Sequence, residues 1–349
     1  WNPTGGRRGK MRAKIIFAAA MAVVAPSASW ALGWQGRSME FDVSGYGTAG
    51  MIDADDEKPD FLGDWRIRGQ ASYNAGARGR IGAVYALDAQ TVDTDEYIDD
   101  LFLFWQSRAF GRVEVGMTES VAGKLGLGLP DVGAMRVNDN PLFYKKINPD
   151  GPVIGDATID SGDQSLRINM VSNSIGGAQY GVSVATIADG FDYAVDAGMK
   201  IRRPAGKIKT AFSIGASFMD NPDNFSDEPY APALTADWRA QLAAGMNIQY
   251  NSWIIGLNAR AIYDRDAISP AADGISAGAG ISYDLLNYSV SLSYVMSSVG
   301  IWHDGDREYT DNTVLASFRY KYSANVDGWT SLGLSSKTPF VAAGLRLVF

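Results

Sequence analysis

The sequence predicts an all-β fold, a transmembrane antiparallel β-barrel of about sixteen strands. Three observations carry that prediction. Apolar and polar residues alternate with period two along most of the chain. The alternating segments run to about ten residues, the length of a membrane strand. The links between them alternate short and long. Successive side chains of a strand point to opposite faces, so period two gives one wet face and one apolar face. In Trp65–Asn74, Trp65, Ile67, Ala71 and Tyr73 share one face, and Arg66, Arg68, Gln70, Ser72 and Asn74 share the other. Trp238–Tyr250, Tyr288–Met296 and Thr313–Tyr322 repeat the pattern.

Taken in order, the segments begin near Phe41, Trp65, Arg80, Leu101, Arg112, Leu166, Gln179, Tyr193, Lys207, Trp238, Trp253, Ile275, Tyr288, Thr313, Trp329 and Val341. The Leu101 segment is apolar on both faces through Phe102–Trp105, so it reads equally as a lipid face or a subunit interface. The Trp329 segment has the weakest alternation. Short turns are expected at Asn74–Gly79, Ser107–Gly111, Arg203–Gly206, Asn251–Ser252, Leu285–Asn287 and Ser323–Asp327. Long links are expected at Asp53–Asp60, Thr91–Glu96, Glu119–Gly162, Met219–Ala236, Arg265–Asp273 and Ser297–Asp311. The longest, Glu119–Gly162, joins strands five and six. A soluble β-sandwich would also alternate, but its strands run only ~5–6 residues. Aromatic residues also sit at both ends of these segments, as at two membrane interfaces. Backbone groups in lipid must be bonded within the protein, and a closed sheet leaves no edge. A ring of about sixteen strands is wide enough to hold water.

Composition narrows the function classes. The chain has no cysteine, one histidine and a formal charge of −8. Thiol-ligated metals and disulfides are excluded, and a nucleic-acid partner is not expected. Met11 is followed by Arg12, Lys14 and the apolar run Ile15–Val24, then by Ser29-Trp30-Ala31. That order is a secretory signal peptide with cleavage after Ala31. Residues 1–31 are thus expected to be an upstream extension plus leader, and 32–349 the barrel domain. The leader holds five basic residues (Arg7, Arg8, Lys10, Arg12, Lys14) and no acidic ones, so −8 less five leaves −13 for the mature chain.

Several stretches carry a family likeness. Phe110-Gly111-Arg112-Val113-Glu114-Val115-Gly116 resembles the strand that leads into the constriction loop of the Gram-negative general porins. Gln164–Asn169, Ser172–Ser174 and Gly176–Val184 resemble the strand pair that follows it. Gly344–Phe349 is similar to the family's C-terminal strand, whose terminal aromatic residue is read by the barrel-insertion machinery. The resemblance implies an outer-membrane homotrimer in contact with lipid and lipopolysaccharide. It also implies a third loop folded into each barrel. In that family the constriction sets acidic loop residues against a basic wall, and the field between them orients solutes.

On this chain the basic wall is expected from Arg66, Arg68, Arg80 and Arg112, and the acidic loop from Asp131 and Asp139. Phe349 is expected to be the insertion signal. An inward basic position is enforced by the ~2–4 kcal/mol cost of facing a basic residue to the bilayer core. No cofactor, metal or catalytic group is expected. The lone histidine, His303, lies in the acidic stretch His303-Asp304-Gly305-Asp306 and is expected to be a solvated loop residue rather than a catalytic base. The acidic clusters at Asp53–Glu57 and Asp93–Asp100 lack EF-hand spacing. The expected function is a water-filled channel for passive diffusion of small hydrophilic solutes and ions. A substrate-specific channel and a plugged structural or adhesive barrel stay open as alternatives.

Overall fold

The computed structural model describes residues 34–35, 38–54, 59–90, 98–133, 159, 166–186, 193–220, 238–265, 270–301, 307–335 and 338–349. The expected leader, 1–31, lies outside them. The described residues form sixteen barrel strands, each antiparallel to the next. These are β1 Met39–Ala54, β2 Asp60–Asn74, β3 Arg80–Gln90, β4 Asp100–Ser107, β5 Gly111–Met117, β6 Leu166–Val171, β7 Ala178–Thr186 and β8 Ala194–Ala205. Then come β9 Ile208–Asp220, β10 Trp238–Tyr250, β11 Trp253–Arg265, β12 Pro270–Leu285, β13 Tyr288–Ile301, β14 Arg307–Lys321, β15 Val326–Ser335 and β16 Thr338–Val348. A further two residues, Trp34–Gln35, pair with the start of β1. β16 pairs with β1 from Phe340↔Ala54 to Val348↔Tyr46, and that pairing closes the ring.

The distribution of side chains inverts that of a soluble protein. Large apolar residues are exposed, among them Leu103, Ile168, Leu257 and Leu292, and small polar residues are buried, among them Ser289, Ser293, Ser317 and Ser331. An apolar outer surface of this extent is stable only where lipid replaces water as the solvent. Rings collect at both rims. On the long-link side Tyr193, Phe218, Trp238 and Tyr263 form a chain across β8–β11, with centroids 6.2, 5.9 and 5.6 Å apart. On the short-turn side Trp253 lies 4.4 Å from Tyr283, and Tyr320 5.0 Å from Tyr322. The short turns use left-handed positions that suit their residues, Gly206 at φ 62° and Asn251 at φ 51°.

Four of the elements differ from the sequence expectation as follows. β12 and β14 begin at Pro270 and Arg307, ahead of Ile275 and Thr313. Their ladders continue past the membrane band, where the bilayer no longer demands period two. The Phe102–Trp105 stretch divides by parity: Phe102 and Phe104 are buried on the inner face, while Leu101, Leu103 and Trp105 are exposed on the outer one. The weak Trp329 segment is a regular ten-residue strand, with Trp329 turned inward and only 4% exposed.

Candidate functional site

The site is the interior of the barrel, and the chain that enters it leaves from the end of β5. Residues 118–133 turn inward and run along the inner wall. They begin with one short helix, α1 Val121–Leu125, capped by Ser120, whose Oγ accepts from Gly123 N at 3.0 Å. α1 packs over β7, β8 and β9. Beyond it, Asn247 Nδ2 on β10 donates to Gly128 O at 3.3 Å. Val132 N donates to Ser291 Oγ on β13 at 3.1 Å, and a Cβ at Gly133 would lie 2.7 Å from Ser317 Oγ on β14. Ile159 packs back against Ala122 and Ala243.

This close passage is written in the wall. An inward glycine stands where the chain crosses on each strand from β7 to β12: Gly181, Gly198, Gly215, Gly245, Gly256 and Gly278. A methyl at Gly245 would lie 2.7 Å from Leu127 O, and one at Gly278 2.7 Å from Leu129 Cδ1. Without Cβ atoms on the wall, the loop backbone lies flat against it. Leu129 completes an apolar cluster with Val295, Leu315, Trp329, Phe340, Ala342 and Ile52.

Charge fastens the start of the loop. Lys124 of α1 pairs with Glu114 on β5 and donates to Thr118 Oγ1 at 2.6 Å. Glu114 also takes Arg112 at 2.7 Å and Asn169 at 3.1 Å. Beneath α1, Arg167 on β6 and Asp196 on β8 form an ion pair with neither side chain exposed to solvent. Ser183 Oγ donates to Asp196 at 2.9 Å and accepts from Val121 N at 3.3 Å, so the pair and the helix share one hydroxyl.

The four arginines expected at the wall all face inward. Arg66 on β2 pairs with Asp99 and, at 3.0 Å, with Asp100. Asp99 sits in the bend before β4, where burial pushes its carboxyl up and Arg66 pulls it down. Arg80 pairs with Glu40 at 2.7 Å and donates to Ser72. Arg112 lies over the Phe104 ring at 4.0 Å besides pairing with Glu114. Arg68 makes no ion pair among the described residues. Arg66, Arg68 and Arg80 share a wall, β2 and β3, that residues 118–133 do not cover; Arg112 stands at the loop's root. Asp131 lies inside the barrel but is turned to the wall, accepting from Ser291 Oγ at 3.0 Å and Gly133 N at 2.9 Å. Asp139 lies outside the described residues. Phe349 continues β16, exchanging backbone hydrogen bonds of 2.8 and 2.9 Å with Gly45.

Sequence reasoning missed Glu114, Lys124, Arg167 and Asp196. Inward parity marks Glu114, Arg167 and Asp196 as lumen residues. Their pairing depends on strand register and on the path of the loop, which no local pattern encodes. The glycine on six consecutive inward faces is the signal that was available.

The profile of the Gram-negative porin family matches residues 16–335. Comparison with curated protein sequences gives no match. Among solved structures, OmpT of Vibrio cholerae in its trimer form superposes with a TM-score of 0.65 at 12% identity, covering 89% of this chain and 100% of that one. The outer-membrane channel DcaP of Acinetobacter baumannii gives 0.62 at 13%, covering 91% and 99%. Salmonella typhi OmpF gives 0.62 at 12%, covering 91% and 100%. At these identities the superpositions establish the fold, and the profile establishes the family. The wet interior and lipid-facing exterior are accounted for together: the chain belongs to the Gram-negative porins, and its barrel is an outer-membrane channel for passive diffusion.

Proposed function

We propose that this porin passes small hydrophilic solutes and ions through a water-filled lumen narrowed by the link between β5 and β6. The observation that carries the reading is the course of residues 118–133 inside the barrel, seated on glycines of β7–β12. One side of the lumen is thereby filled, and the wall bearing Arg66, Arg68 and Arg80 is left to face the passage. Arg112, stacked on Phe104 and held by Glu114, is placed at the root of the same loop. In this reading these four arginines act against acidic residues of the loop, with Asp131 and Asp139 as the candidates. Conduction needs no bond-making step, and the protein is proposed to be no enzyme.

The reading extends to assembly. The leader 1–31 would be removed on export, and Phe349 at the end of β16 would present the aromatic terminus to the insertion machinery. The assembled barrel would be a homotrimer, matching the trimer form of Vibrio cholerae OmpT on which it superposes. Lipid and lipopolysaccharide would surround its outer face. Planar-bilayer recording tests the central claim. Purified protein should give steady, ohmic conductance steps, and stable insertion with no conductance would sink it.

A further inference from the structure

The inner wall carries a second group of cations, on the same side as the loop but toward the short turns. Lys200 and Arg202 occupy inward positions of β8, and Lys209 an inward position of β9. Arg202 stands opposite Ala211, which places Lys209 on its diagonal, roughly 7–8 Å away. Lys200 and Arg202 are about 7 Å apart along the strand. The flanking inward residues are amides: Gln179 opposite Lys200, Gln249 opposite Lys209 and Asn247 opposite Ala211. Among the described residues, the inward positions of β6–β11 on this short-turn half hold no carboxylate.

This group differs from six other lumen cations. Arg66, Arg80, Arg112, Arg167, Arg319 and Arg346 are each matched by a carboxylate. Among the described residues, Lys200, Arg202 and Lys209 make no ion pair, and Glu119 at the root of the loop is the one carboxylate whose field bears on Lys200. Arg202 and Lys209 are exposed to the lumen and Lys200 is half-buried. Three clustered cations that make no ion pair among the described residues are the chemistry that holds an oxyanion.

We infer that Lys200, Arg202 and Lys209 form an anion-binding subsite on the channel wall, taking small solutes that carry a phosphate or carboxylate group. The inference rests on the channel reading above and gives it a solute class. It also makes the lumen locally favourable to anions although the whole chain carries a formal charge of −8. Three unit charges about 8 Å from the solute path, in screened water, raise the local anion concentration about threefold.

The test compares the wild type with Lys200→Gln/Arg202→Gln/Lys209→Gln in planar bilayers under a potassium chloride gradient. Inorganic phosphate then serves as a competitor for the chloride current. The chloride-to-potassium permeability ratio should fall about sevenfold in the variant, because the three charges disfavour potassium as much as they favour chloride, and inhibition by phosphate should be lost with it. Lys200→Arg/Lys209→Arg, which keeps the charge, should leave both unchanged. A triple variant that conducts with the wild-type ratio overturns the subsite. If the triple variant does not insert, Lys209→Gln alone decides: a fall of the ratio by about twofold supports the subsite, and no change overturns it. A wild type that inserts without conducting overturns the channel reading itself, and the subsite falls with it.

Discussion

Replacing Arg167 by methionine tests how the loop is held. Arg167 and Asp196 are both fully enclosed beneath α1. Forming such a pair gains little over an apolar contact, because two ions must first leave water. Removing one partner is another matter. With Arg167 gone, the Asp196 carboxylate stays buried, and among the described residues only the Ser183 hydroxyl still donates to it. Stranding a buried charge costs about 3–5 kcal/mol. Arg167→Met should lose that much stability. Arg167→Met/Asp196→Leu, with no charge to strand, should recover all but about 1–2 kcal/mol of it. The assay is equilibrium urea unfolding in lipid vesicles, followed by the fluorescence of the seven tryptophans of residues 32–349. The reasoning is refuted if the single variant costs under about 1 kcal/mol, or if the two single substitutions add without coupling. Because Ser183 also accepts from Val121 N, the single variant should in addition record noisier current.

Further outcomes follow from the same geometry. Gly245→Val puts a side chain against Leu127 and should cost about 1–3 kcal/mol by overpacking; as the loop shifts into the lumen, single-channel conductance should fall, and an unchanged conductance would show that the loop does not rest there. Lys124→Met removes one of three partners of the enclosed Glu114, and should raise current noise without changing the barrel's circular dichroism. Leu257→Arg faces a guanidinium to the bilayer from the middle of β11 and should cost about 2–4 kcal/mol in vesicle unfolding. Phe349→Ala should slow insertion into vesicles that carry the insertion machinery, while equilibrium stability drops by under about 2 kcal/mol.

The barrel is legible in the sequence because the bilayer enforces it residue by residue. A leucine or arginine on the wrong face is penalised at every position, so Trp65–Asn74 and Tyr288–Met296 alternate cleanly. Where that penalty lapses, so does the signal. The outer ends of β12 and β14 lie beyond the apolar band and carry no strand pattern of their own. Trp329 faces inward against Leu129 and so breaks the alternation of a regular strand. The site is legible only in outline. Parity aims Arg66, Arg68, Arg80 and Arg112 at the lumen. Three of these are engaged by Asp99 and Asp100, by Glu40 and by Glu114, and those partners come from register rather than spacing. The seat of the loop is hidden for a related reason. It is made by single glycines on six strands, each unremarkable alone, that align only when the sheet is rolled.

The closing pair of strands has a kinetic consequence. Fifteen of the ring's sixteen pairings join neighbours in sequence. The sixteenth joins Phe340–Val348 to Tyr46–Ala54, nearly the whole chain away. Nucleation can therefore begin at any hairpin, but until β16 docks the sheet keeps two open edges, which lipid cannot satisfy. A chain that lacked β16 would not be a slightly smaller barrel. It would be a curled ribbon with two hydrogen-bonding edges exposed, prone to pair with another such ribbon. The commitment to a single closed ring is thus deferred until β16 meets β1.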